Sequence, residues 1–291
     1  MASRFGLCRG TRTEPEGPPR SSSNTCPLFV GCNWKCAVSE LNAADALVSA
    51  INKSWAPHAQ ALSEIELVMC PPHVLLGRVR DRAGAAFRVG AQNVGEAVGP
   101  LDAGTGVTTA GLLRAVGAEW VVLGHSDRRN VFGETDALLA SKAHACLAAG
   151  LAVNLTVGET RAQREAGVAI ETVLQQVAAM AERVDAGEWA RVVIAYEPVW
   201  AVGDGATPCT PEETQRVHSE IRSWLKSHAG TEAASKCRLV YTGSVNATNC
   251  GAYAVLPDVD GFVVGRAGLE ASALLEICQI LVRCKNGGLT A

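Results

Sequence analysis

Apolar and polar positions follow two rhythms along this chain. Short, nearly continuous apolar runs rich in β-branched residues alternate with stretches whose apolar positions recur at helical spacing. The runs are LFVG (28–31), IELVMCP (65–71), AAFRVGAQN (85–93), EWVVLGHS (119–126), LAVNLTVGE (151–159), RVVIAYEP (191–198), CRLVYTGS (237–244) and DGFVVGRA (260–267). A strand covered on both faces reads in this way, which points to a parallel sheet under helices. Helical stretches fill the gaps, among them 40–55, 135–150, 167–184, 210–228 and 268–284. The stretch 210–228 opens with a start signal: Thr210 as cap, Pro211 in the first turn and Glu213 three residues after the cap. Eight strand–helix units in roughly 260 residues predict an α/β fold, a closed (β/α)8 barrel over 27–288. The competing doubly wound sheet is disfavoured, because no G-x-G-x-x-G follows the first run.

Composition narrows the function. The 26 Lys+Arg against 29 Asp+Glu give a net charge of −3, which excludes a general nucleic-acid binder. No run of eighteen apolar residues occurs, so no membrane span is expected. Eleven cysteines at irregular spacing, several inside apolar runs, read as reduced thiols. Residues 1–26 differ from the rest: Arg, Ser, Pro and Gly without apolar periodicity. They read as a flexible extension, or as a transit peptide for a plastid or mitochondrion; they lack the apolar core of a secretory signal. The expected location is cytoplasmic unless the extension targets an organelle. Deleting it is expected to leave fold and activity intact.

In such a barrel, chemistry sits where strands end. The polar residues there are Asn33 and Lys35 after the first run, Gln92-Asn93 after the third and His125-Ser126-Asp127 after the fourth. Glu197 follows the sixth, Tyr241 and Ser244 the seventh, and Gly265-Arg266 the eighth. Glu197 has the setting of a general base, or of a salt-bridged loop acid. His125 can donate to a developing oxyanion, or be a satisfied core histidine. Lys35 can hold positive charge against an enediolate and a phosphate, or lie on the surface. Gly203, Ser244 and Gly265 offer N–H and hydroxyl groups for a phosphate, or are plain turns. Neither a P-loop, nor C-x-x-C pairs, nor H-E-x-x-H is present.

In combination these residues resemble the triosephosphate isomerase family from about Leu28 to Cys284. The motifs are GCNWK (31–35), AQN (91–93), WVVLGHSDRR (120–129), VFGETD (131–136), VGET (157–160), AYEPVWAVGDG (195–205), YTGSVNATNC (241–250) and DVDGFVVGRA (258–267). The resemblance implies a TIM barrel that interconverts dihydroxyacetone phosphate and D-glyceraldehyde 3-phosphate through an enediolate. It implies Glu197 as proton carrier, neutral His125 as carbonyl polariser, and Lys35 with Asn33 as stabilisers of negative charge. Asp127, Ser126 and Tyr241 are supporting residues. Gly203, Ser244, Gly265 and Arg266 match the phosphate-binding positions, and 198–208 match a lid that excludes water. No metal or cofactor is implied, because carbonyl polarisation already acidifies the neighbouring hydrogen. The family is usually a homodimer, whose third loop, here Gly104-Thr105-Gly106, inserts beside the neighbour's active site.

The chain departs from the family pattern at several places. Asp127 stands where a glutamate supports the lysine; one methylene shorter, its direct reach to Lys35 is in question. Val107 replaces an acid that makes a salt bridge, which predicts a weaker dimer. Asp204 and Ala206 replace the usual Thr and Lys of the lid. The lid exit 205–210 is one residue longer, with Pro208 lacking the N–H normally given to Tyr241, and Cys209 as the substitute donor if the register shifts. Thr242 and Arg266 replace turn glycines; at Arg266 a positive φ would be strained, while a negative φ would not. These departures leave two alternatives to an active isomerase: a weakened homologue that binds a phosphate ligand, or a phosphate-binding barrel enzyme of another reaction class.

Overall fold

The computed structural model describes residues 26–96, 104–203 and 206–287. Eight strands form the barrel: β1 (Leu28–Asn33), β2 (Ile65–Cys70), β3 (Phe87–Ala91), β4 (Trp120–Leu123), β5 (Ala152–Val157), β6 (Val192–Tyr196), β7 (Arg238–Thr242) and β8 (Gly261–Val264). Each runs parallel to the next, and β8 closes on β1 through pairs from Phe29–Gly261 to Cys32–Val264. Because side chains alternate between faces, each strand feeds two cores. Phe29, Val68, Trp120, Val122, Val193, Val240 and Val263 fill the barrel interior. Val30, Leu67, Val89, Val121, Leu155, Ile194 and Leu239 face the helices. This double burial is why the strand runs read as continuous rather than alternating.

The interior is plugged at the end opposite the strand C-termini. Arg238 is buried there and donates to Glu66 at 2.6 Å, while Trp120 Nε1 donates to the same carboxylate at 3.1 Å. The Arg238 guanidinium also lies 5.4 Å from the Phe29 ring and 5.3 Å from that of Trp120. A buried cation thus meets both an anion and two aromatic faces.

The helices are α1 (Leu41–Trp55), α2 (Leu76–Arg82), α3 (Ala110–Ala115), α4 (Ser126–Asn130), α5 (Asp136–Ala148), α6 (Arg161–Glu165), α7 (Ala169–Ala181), α8 (Pro211–His228), α9 (Thr231–Lys236), α10 (Cys250–Ala254) and α11 (Ala271–Lys285). Every stretch read as helical contains one. The short helices α4, α6 and α9 do not announce themselves in the pattern, since five or six residues are too few to show a period. They form because their ends are satisfied: α6 has a reciprocal capping box between Thr160 and Gln163. At α8 the Thr210 hydroxyl accepts the Glu213 N–H at 3.2 Å, as its start signal predicts. The Glu213 carboxylate is taken instead by Arg164 and Arg216, at 2.6 and 2.8 Å.

The cysteines of the described residues are all free thiols, most of them buried. Burial pushes Cys70, Cys146 and Cys237 up to about 12, so they are inert packing groups. Among the described residues, no helix is long and apolar enough to cross a membrane. Residues 1–25, like Asp204 and Gly205 of the lid, lie outside the described residues.

Candidate active site

The site begins where β4 stops. Gly124 turns the chain with φ +73°, and a Cβ there would stand 2.6 Å from the Thr156 carbonyl oxygen. His125 follows as the cap of α4, its Nδ1 accepting the Asp127 N–H at 3.1 Å. An amide N–H can only donate, so Nδ1 presents its lone pair and the neutral ring carries its proton on Nε2. Asp127 Oδ2 also stands 3.4 Å from Nδ1. With the amide already donating to Nδ1, that approach brings two acceptors together and is no ion pair.

Glu197 enters from the end of β6, its N–H held by the Val157 carbonyl at 2.7 Å. Its side chain is buried, with Oε2 accepting the Ser126 N–H at 2.9 Å and Oε1 3.4 Å from His125 Nε2. A carboxylate at the first amides of a helix is favourably placed, because those N–H groups lack helical partners. Gly158 lies flat against the Glu197 carbonyl, in the space a Cβ would need. Neither Gly158 nor its neighbour Glu159 stands out as functional from sequence, although both lie in the VGET motif.

Lys35 comes from the loop after β1 and is the one non-glycine with positive φ, +47°, among the described residues. A left-handed residue costs about 1–2 kcal/mol, so it needs bracing. Asn33 Oδ1 accepts its N–H at 3.0 Å, and Gln92 Nε2 donates to its carbonyl at 2.8 Å and to that of Cys70 at 3.0 Å. Gln92 is therefore a supporting residue with no individual role in the sequence reading. So placed, Lys35 Nζ comes within 3.2 Å of Asp127 Oδ2. The doubt over Asp127's reach is corrected: the bent loop brings the lysine to the shorter acid. Lys35, Asp127, His125 and Glu197 form one chain of contacts.

The other strand ends surround this chain. Gly203 has φ +110°. Ser244 Oγ donates to the Ala201 carbonyl at 3.4 Å, and Asn249 Nδ2 donates to the Ser244 carbonyl at 2.7 Å. Gly265, with φ −95°, caps a short turn over Arg266–Leu269. Arg266 is exposed and its φ is not positive, so the unstrained alternative holds there. The lid's first turn is gripped through Trp200: Nε1 donates to Glu159 at 2.6 Å, and the Arg164 guanidinium lies 4.4 Å over the ring. Tyr196 donates to the same buried Glu159 at 3.2 Å. At the stretch read as the lid exit Cys209 is fully buried, and the Tyr241 hydroxyl is buried beside the Cys209 backbone and Tyr253.

Thr105 and Gly106 stand apart from this cluster. Their turn is closed by the Val107 N–H on the Gly104 carbonyl at 2.9 Å, with Gly106 at φ +84°. No hydrogen bond or ion pair among the described residues links them to Lys35, His125 or Glu197. The cations near Val107 are accounted for within the chain: Arg128 and Lys142 both bind Glu134, at 2.6 and 2.7 Å, and Arg128 covers the Phe132 ring. The missing acid at 107 thus leaves neither cation unpaired. Three partners hold Glu134 below the usual carboxylate range, although burial opposes them.

Comparison with known proteins agrees with this geometry. The chain matches the family described as "Triosephosphate isomerase" over residues 28–281. It is 39% identical over 252 residues to "Triosephosphate isomerase, chloroplastic" of Secale cereale, covering 87% of this chain and 81% of that protein.

Proposed function

The chain belongs to the triosephosphate isomerase family, and on that premise we propose how its own residues carry the reaction. It is an isomerase that interconverts dihydroxyacetone phosphate and D-glyceraldehyde 3-phosphate. The observation that carries the assignment of roles is the convergence of a buried carboxylate, an Nε2 donor and an ammonium at one barrel mouth.

Glu197 takes the proton from C1 of dihydroxyacetone phosphate. The C–H electron pair becomes the C1=C2 bond of the enediolate, and the carbonyl oxygen takes up negative charge. His125 meets that charge with its Nε2–H, a donor whose contact strengthens as the oxyanion forms. Its Nδ1 is held by the first turn of α4, an arrangement for which this family is the standard illustration. Lys35 adds positive charge beside the enediolate, aimed by Asp127 and by the braced loop. His125 Nε2 gives its proton to the C2 oxygen and takes up the C1 hydroxyl proton in return, so protonated Glu197 delivers its proton to C2 as the C1–O pair closes to the aldehyde carbonyl, with no net redox change. Gly203, Ser244, Gly265 and the Arg266 N–H are assigned to the substrate phosphate. The lid 198–208 keeps water out and so suppresses phosphate elimination.

Glu197→Gln tests the assignment. A carboxamide keeps the size and an acceptor for the Ser126 N–H but cannot take the proton, so kcat falls by roughly 10²–10⁴ while the fold persists. Near-normal turnover by the folded variant, measured in a coupled assay with both triose phosphates, would refute it. The assembly is proposed to be a homodimer, supported by the exposed Val74, Val131 and Phe132. A cytoplasmic location is proposed with a plastid as the alternative, since the rye relative is named chloroplastic. A fluorescent fusion of residues 1–26 discriminates between the two locations.

A further inference from the structure

The lid exit, read from sequence as one residue longer than the family pattern, raises a question that the catalytic residues do not answer: what fixes the chain at this hinge. Cys209 is fully buried and sits immediately before the cap of α8. Its Sγ accepts the hydroxyl of Thr214 at 3.6 Å, a residue in the second turn of α8 that is itself fully buried. Residues before the cap and in the second turn commonly pack together and set the angle at which the chain enters a helix. The Cys209 carbonyl is buried as well, and the N–H four residues on, that of Glu213, is already given to the Thr210 hydroxyl at 3.2 Å. Tyr253 of α10 supplies a donor instead, its hydroxyl donating to that carbonyl at 2.6 Å. The Tyr253 ring stacks on Tyr241 of β7 at 4.5 Å and 19°. The Tyr241 hydroxyl, packed against Gly243, lies in the same pocket beside the Tyr253 hydroxyl and the Cys209 backbone.

We propose that Tyr253 is a positioning residue for the lid: by holding the Cys209 carbonyl it fixes the C-terminal hinge and keeps the Cys209 backbone beside the Tyr241 hydroxyl. The inference rests on the isomerase reading above. It assigns to this chain's own tyrosine pair the task of accommodating the additional residue. Pro208, with no N–H and a fixed φ, limits the ways the exit can run, so the anchor falls on the next residue, Cys209. Neither tyrosine touches substrate in this scheme. Tyr253 acts through the hinge, and its loss shows in what the lid does rather than in the chemistry at Glu197.

Tyr253→Phe removes the hydroxyl and keeps the stacked ring. Its kcat/KM for glyceraldehyde 3-phosphate is expected to fall about tenfold, with inorganic phosphate released per isomerisation rising at least about threefold, because a looser lid admits water and frees the intermediate. Hydrogen exchange of the peptide spanning 203–214 should accelerate in the unliganded protein, a readout independent of turnover. The effect of Tyr253→Phe should also shrink when combined with Tyr241→Phe, since both act on one hinge. The proposal is overturned if phosphate release per turnover and hinge exchange match the parent. A lowered melting temperature as the sole change overturns it equally, by reducing Tyr253 to a packing residue. Should the parent protein turn over neither triose phosphate, the isomerase reading fails, while the exchange measurement still decides the hinge.

Discussion

The site is built from residues whose backbone matters as much as their side chains. Lys35 reaches Asp127 because its own φ is +47° and because Asn33 and Gln92 hold it there. Glu197 sits where it does because Gly158 leaves room for its carbonyl. Gly158→Ala would push a methyl group into that carbonyl and tilt the base away from His125. The expected result is a fall in kcat of about a hundredfold with little change in KM, since a misplacement near 1 Å at a reacting group carries that loss. Steady-state kinetics on the folded variant decide it; unchanged kcat would show that the strand end yields without moving the carboxylate. Arg266 gives the opposite case. Its φ needs no glycine, so Arg266→Gly relieves no strain, and its backbone N–H is retained. KM for glyceraldehyde 3-phosphate should change by less than about threefold, or about 0.7 kcal/mol. A tenfold rise that shrinks at high salt would instead assign the guanidinium to the phosphate.

At the scale of elements, α8 carries a pH sensitivity. His218 is fully buried on its inner face, edge-on to Tyr196, with Nδ1 donating to the Asp258 carbonyl at 3.0 Å and Nε2 unpaired. Burial pushes its pKa down from 6.5 to about 4, against the pull of Asp258 and Asp260 and with a smaller push from Arg222. The folded state therefore prefers the neutral ring. That contribution is fully present above the unfolded value and is lost as pH falls from 6.5 through about 4, reaching about 3 kcal/mol at the limit. Glu213 titrates far lower, held down to about 2 chiefly by Arg216, whereas burial raises Glu119 above its usual value, so the comparison with a His218 variant is what isolates the histidine. Denaturant midpoints at about pH 6.5 and pH 5 should differ for the parent and differ less for His218→Gln. Equal slopes in the two proteins would contradict the assignment.

At the scale of the whole molecule Val74, Val131 and Phe132 are exposed, and the turn Gly104-Thr105-Gly106 makes no hydrogen bond or ion pair with Lys35, His125 or Glu197 among the described residues. A turn that makes no such contact with its own candidate site suits contact with a second copy. Sedimentation across a dilution series should show a dimer at micromolar concentration. Dissociation at low nanomolar levels is expected as well, because Val107 offers no ion pair across the interface, though such a pair is worth under about 1 kcal/mol when exposed. A monomer at high concentration would contradict the dimer; a dimer intact throughout would contradict its weakness.

The sequence by itself determined the barrel and the strand ends at which its candidate reacting groups gather. Eight doubly buried strands must read as continuous apolar runs, and the polar residues that end them at Asn33, His125 and Glu197 come together at the barrel mouth. Thr210 and Pro211 marked the start of α8 because capping is a local matter of unpaired amides. Tertiary structure decided whatever depends on distance between segments far apart in the chain. Whether Asp127 reaches Lys35 turns on a loop braced by Gln92, 57 residues from the lysine. That Glu159 holds Trp200, and Tyr253 holds Cys209, follows from elements packed side by side after the barrel closes. Periodicity reports which face of an element is buried; it carries no record of which side chain waits on the other side.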